Sequence, residues 1–157
     1  MSMKSSIIYG YGFSIENVTE ETLAQFILNH RNVFSKDKEE NGVCDLAEQL
    51  LKKQAGEYEL LRYLSDYEDD NSGNSGFGAV ISNIMSRETG ILFQYESGQS
   101  DCNSKKHILF PECFSWQLND KEKELTEESL REIMSKYAVE LNLETSDVGY
   151  HSVEYYG

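Results

Sequence analysis

Over Ser75 to Tyr95, SGFGAVISNIMSRETGILFQY, the apolar positions change from a helical to a strand-like spacing, and the rest of the chain is organised around this stretch. From Phe77 they fall at Val80, Ile81, Ile84 and Met85, which predicts a helix, and Ile91, Leu92 and Phe93 then read as a strand. Ser75 stands where an N-cap belongs, and Gly90 where a left-handed residue ends a helix. This stretch is the expected centre of the core.

Taken in order, Ser6 to Ile15 alternates as a strand does, with Ile7, Tyr9, Tyr11 and Phe13 on one face and Gly10 and Gly12 on the other. Two glycines on one face predict a close neighbour, a helix in the simpler reading and a ligand backbone in the sharper one. Val18 to Leu23, VTEETL, opens a helix with Thr19 as N-cap and two acids in the first turn. Leu23, Phe26, Ile27, Val33 and Phe34 trace its inner face, with His30 at the boundary as a satisfied side chain. A charged connector, residues 35–42, precedes a second helix that points Val43, Leu46, Ala47, Leu50 and Leu51 inward.

Glu57 to Asp70, EYELLRYLSDYEDD, sorts as a third helix: Leu60, Leu61, Leu64 and Tyr67 on one side, Glu59, Asp66 and Asp70 opposite, Tyr63 on the flank. Residues 71–76, NSGNSG, read as a flexible loop, and residues 96–106 as a hairpin loop. His107 to Phe114 is the expected returning strand, in which Pro111 favours an edge position or a bulge. The final helix, Thr126 to Leu143, opens on LTEESL, the same capping solution as VTEETL, after a charged lead-in at residues 119–124. Gly149 to Tyr156 closes the chain as a strand. The elements predict an α+β fold, one domain over residues 1–157, with about four mainly antiparallel strands covered by four to five helices.

At 157 residues a sizeable core is expected without covalent staples. The three cysteines, Cys44, Cys102 and Cys113, are odd in number and in no paired spacing, as expected for reduced thiols. No apolar run reaches signal-peptide or membrane-spanning length, so a cytoplasmic protein without membrane contact is expected.

Charge alters this picture most. There are 28 acidic against 14 basic residues, a net charge of −14, and residues 56–100 hold 8 acids with only Arg62 and Arg87. Such a field repels nucleic acid and anionic membranes and attracts a basic protein. Ten tyrosines add candidate contact area at low entropic cost.

Chemical signatures are absent. An EF-type calcium loop begun at Asp66 puts Asn71 where glycine is needed and Phe77 where the bidentate glutamate is needed. Gly73, Gly76 and Gly78 precede a helix, but no lysine follows in phosphate-loop spacing. No metal or cofactor is expected. A thiol enzyme using Cys113 with a histidine is the alternative, although His107 and Cys113 lie roughly 20 Å apart on an extended strand. A third reading is a homo-oligomeric accessory protein whose tyrosine-rich terminal strands pair between subunits.

The acidic segment 57–70 is the leading candidate site. As a helix its 14 residues would rise about 21 Å and carry six acids, roughly one per 3.5 Å, near the phosphate spacing of one nucleic-acid strand. Glu59, Asp66, Glu68, Asp69 and Asp70 are expected to stand in for phosphates, with Tyr63 and Tyr67 as anchors on a basic, nucleic-acid-handling partner. The stretches IIYGYGF, IMSRETGI and VEYYG resemble small proteins of low-GC bacteria and their phages. Phage inhibitors of host defence, anti-CRISPR proteins among them, are similar in being small, often acidic and free of catalytic motifs. That is a likeness of type only, and the leading expectation, a non-enzymatic inhibitor of such a partner, rests mainly on the charge.

Overall fold

A computed structural model describes residues 5–34, 38–52, 59–100, 103–111 and 117–156. Among them, four strands form one antiparallel sheet: β1 (Ser5–Ser14), β2 (Gln94–Ser100), β3 (Asn103–Pro111) and β4 (Gly149–Tyr156), in the order β2-β3-β1-β4. The helices are α1 (Glu20–Asn29), α2 (Lys38–Leu51), α3 (Glu59–Tyr63), α4 (Phe77–Thr89), α5 (Asp120–Lys123) and α6 (Glu127–Glu140). The α+β domain expected from the sequence is therefore present, with two helices of only five and four residues beyond the long ones. None is long and apolar enough to cross a membrane.

The caps explain where the long helices begin and end. Thr19 accepts from the Thr22 N–H, and Thr126 shares a reciprocal capping box with Ser129. Gly90, at φ 73°, ends α4 in the left-handed region that glycine enters without a Cβ penalty. Ser75 does not cap α4; Gly76 holds that position and offers no side chain. Helix α4 is buried along one continuous run from Gly78 to Met85, which makes it the central element. Its core partners include Phe13 of β1, Tyr95 of β2, Ile108 of β3 and Leu23, Phe26 and Ile27 of α1.

All these strand residues lie on one face of the sheet. The opposite face carries Gly10, Gly12, Leu109, Val153, His107 and His151, as strand alternation and the register Gly12↔Leu109, Ser14↔His107 and Gly10↔His151 require. The sheet curls toward this second face. An ideal Cβ on Gly98 of β2 would lie 2.4 Å from Val153 Cγ1 and 2.5 Å from the Glu154 oxygen of β4, although two strands separate β2 from β4 in the order. In a flat sheet those strands stand about 14 Å apart. On the concave side a Cβ on Gly10 would come within 2.8 Å of the Phe110 oxygen, and one on Gly12 within 1.8 Å of the Ile108 oxygen. The protein neighbour that crowds both glycines is the curled backbone of β3, where the sequence suggested a helix.

Two other expectations are corrected. Strands β2 and β3 run through the polar segment read as a long hairpin loop, pairing from Gln94↔Leu109 to Ser100↔Asn103. Backbone ladders do not need apolar side chains, and here the two strands serve each other as partners. Strand β3 is internal, and Pro111 is tolerated as its last residue, beyond the final pair with β2. The terminal strands β1 and β4 pair with each other from Ser5↔Tyr156 to Gly12↔Gly149, with β4 as an outer strand of the sheet.

His30 pins three helices. Its Nδ1 lies 2.7 Å from Glu88 on α4, its Nε2 bonds Glu140 on α6, and the Tyr137 hydroxyl donates to Glu88 at 2.8 Å. Burial disfavours the charged ring, but the hydrogen bonds to Glu140 and Glu88 outweigh it and hold His30 above its ordinary value of 6.5. A raised folded-state value stabilises the protein fully below 6.5, and that contribution is lost as pH rises through the raised value. The thermal midpoint should therefore fall between neutral and mildly alkaline pH, and His30→Gln should flatten the fall. Equal slopes for the two proteins would rule out this pin.

Candidate functional site

The segment proposed from sequence does not form one helix. It is helical from Glu59 to Tyr63, tightens into a 3-10 turn at Leu64–Asp66, and is extended from Tyr67. Leu60 and Leu64 are fully buried, so the turn closes on the core at Leu64. Residues 57–58 lie outside the described residues. A regular ladder of carboxylates along a helix is therefore absent, and Asp70 is not on a common helical face with Glu59 and Asp66.

Residues 67–76 instead fold back on themselves through a bridge between Glu68 and Ser75, with the Gly76 N–H donating to the Tyr67 carbonyl at 3.0 Å. Gly73, at φ 75°, makes the tip. This loop covers the outer edge of β2. The Asn71 and Asn74 amides donate to the Phe93 and Tyr95 carbonyls, each at 2.8 Å, and the Ser72 hydroxyl donates to the Tyr95 carbonyl at 2.9 Å. An edge strand left bare invites pairing with other chains, and these side chains occupy the outward carbonyls of Tyr95 and of Phe93 just before the strand. The stretch read as a flexible loop is a fitted cover.

Asp69 is its centre. Only 2% exposed, it accepts from the Tyr95 N–H at 2.5 Å, the Ser82 hydroxyl and the Asn71 N–H at 2.7 Å each, and the Ser72 N–H at 3.4 Å. Its carboxylate has no surface to offer, so Asp69 is removed from the partner-facing set. Tyr67, expected as an anchor, is half-buried and packs against the core. Glu59, Asp66, Glu68 and Asp70 are exposed, as is Tyr63 at 48%. Asp70 meets Arg87 at 3.1 Å, whereas Glu59, Asp66 and Glu68 form no ion pair among the described residues.

A second concave feature lies on the helix-bearing side of the sheet. A cleft of about 670 Å³ opens between Tyr9, Tyr11 and Tyr150 of the terminal strands, Phe110 at the end of β3, and Leu125 and Leu130 beside α6. The rings of Tyr11 and Tyr150 stand perpendicular, 5.0 Å apart. Tyr11 is buried, while Tyr9 and Tyr150 are 55% and 75% exposed. Among the described residues, two carboxylates line the cleft. Both oxygens of Glu122 are engaged, by the Asn119 N–H at 2.8 Å and the Leu92 N–H at 2.9 Å. Among the described residues Glu127 meets only Arg131, at 3.9 Å, and the Arg131 Nε–H donates to the Tyr11 hydroxyl at 3.1 Å. The alternation in IIYGYGF marked Tyr9 and Tyr11 in the sequence, but the register that adds Tyr150 to them joins residues at opposite ends of the chain.

The thiol reading gains no geometry. Cys113 and Cys102 lie outside the described residues, and burial pushes the Cys44 thiol on α2 up, away from the reactive range. The His107 ring lies 4.8 Å from that of His151, tilted at 50° to it, inside the curl of the sheet. No three His, Cys, Asp or Glu side chains converge as metal ligands among the described residues. No protein-family model, curated protein or solved structure matches the chain.

Proposed function

We propose that this chain is a non-enzymatic acidic binding protein that engages a basic, nucleic-acid-handling partner and occludes it, as phage inhibitors of host defence do. The observation that carries the reading is that Glu59, Asp66 and Glu68 are exposed and form no ion pair among the described residues, with the half-exposed ring of Tyr63 in the same segment, on a chain of net charge −14. Their charge is not spent inside the fold. It acts on an approaching cation, steering encounter at long range, while Tyr63 supplies rigid contact area. Glu59, Asp66 and Glu68 take the places of phosphates in this reading, with Asp70 at the margin because Arg87 offsets it.

Capture from a nuclease-treated bacterial lysate tests the proposal. A basic nucleic-acid enzyme should be retained at low salt and released at high salt, as the Debye length shortens from about 10 Å at 0.1 M to about 3 Å at 1 M. The double variant Asp66→Lys, Glu68→Lys should fold normally and fail to retain it. Equal retention by the variant, or retention indifferent to salt, would overturn the reading.

A further inference from the structure

The tyrosine-lined cleft rests on that binding reading and deepens it by naming the group the partner inserts. The geometry points to a receptacle for an arginine side chain of the basic partner. Charge sets the sign of the occupant: Glu122 and Glu127 line the cleft, no lysine or arginine does so among the described residues, and the chain as a whole repels anions. The walls set its shape. Perpendicular rings at Tyr11 and Tyr150 form an aromatic corner, and Tyr9 and Tyr150 leave more than half of their surface open to solvent.

A planar guanidinium stacks on one such face while its edge meets the other, which a compact ammonium does less well. Leu125, Leu130 and Phe110 offer an apolar depth for the aliphatic stem. The chain already holds one guanidinium at the rim by a hydrogen bond, where Arg131 places its Nε–H on the Tyr11 hydroxyl. Arg131 holds Glu127 only at 3.9 Å, so an incoming guanidinium competes with it for a carboxylate that is not firmly engaged.

A short, uncharged-end peptide with one central arginine serves as the probe, compared with its lysine and citrulline counterparts by amide chemical shifts of the labelled full-length protein. The arginine peptide should shift Tyr9, Tyr11 and Tyr150 and bind about tenfold more tightly than the citrulline peptide, with lysine between them. Tyr150→Ala and Glu127→Gln should each weaken binding about fivefold, and Arg131→Gln should strengthen it by removing the competitor. Tyr150 and Glu127 are exposed, so neither change threatens the fold.

Equal binding of arginine and citrulline peptides, shifts mapping away from the three tyrosines, or no shift at millimolar peptide would overturn the inference. Asp66→Lys with Glu68→Lys should leave peptide affinity unchanged, which separates the two surfaces. Partner capture lost in that double variant but intact in Tyr150→Ala would sink the cleft alone. Peptide binding at the tyrosines without salt-sensitive capture would sink the acidic-face reading alone.

Discussion

Gly12→Ala is expected to destabilise the protein by about 3 kcal/mol or more, at the upper end of what overpacking costs. The new methyl carbon would lie 1.8 Å from the Ile108 oxygen, 2.8 Å from its carbonyl carbon and 3.0 Å from the Leu109 Cα, all backbone atoms of an internal strand. No side chain can swing away. Relief requires β1 and β3 to uncurl, and uncurling withdraws β2 from β4 at Gly98, where Val153 closes the concave face. Against a total stability of roughly 5–15 kcal/mol this is a large loss. Gly149 is the matched control, because it pairs with Gly12 across β1 and β4 yet has nothing within 4 Å of its ideal Cβ. Gly149→Ala should shift the urea midpoint little, and similar losses at both positions would show that the sheet is not curled as described.

Asp69→Ala is the second large effect, with an expected loss of about 3–5 kcal/mol, since hydrogen bonds to a charged acceptor are worth about 1.5–3 kcal/mol each and their buried donors would be stranded. The donors are the Tyr95, Asn71 and Ser72 amides and the Ser82 hydroxyl. Asp69→Asn keeps the volume but turns an N–H₂ toward donors on one side, so it should fall between alanine and wild type. Asp66→Asn, at an exposed position, should stay within about 0.5 kcal/mol. Loss of Asp69 also unpins the cover from β2, so the alanine variant should self-associate through the bared edge. An Asp69→Ala protein as stable as Asp66→Asn would return Asp69 to the surface.

These two residues mark where the sequence was legible and where it was not. Helix ends written in local chemistry were readable: Thr19, Thr126 and Gly90 act where their residue types predict. The terminal strands and the inward faces of α1, α2, α4 and α6 followed from periodicity, whereas β2 begins at Gln94, after the Ile91–Phe93 run read as a strand. Segment 57–70 misled because its apolar spacing is helical while its end is decided by something distant. Aspartate and asparagine satisfy backbone groups outside helices, and the edge of β2 offers Tyr95 and Phe93 to them. No pattern within DYEDDNSGNSG announces that edge. Gly12 misled for a related reason: the two glycines announced a close neighbour, but only the strand order identifies it as β3. Of the candidate site, Glu59, Tyr63, Asp66, Glu68 and Asp70 stand exposed, while Asp69 and Tyr67 turn inward.

The steering role of the acidic face is tested most directly by the association rate of the captured partner, followed at low and high salt for wild type and for Asp66→Lys with Glu68→Lys. A rate that is high for wild type at low salt, falls steeply with added salt, and is lower with a shallower salt dependence in the variant is the expected result. Equal rates for the two proteins across the salt series would contradict the assignment of Glu59, Asp66 and Glu68 as the surface the partner meets.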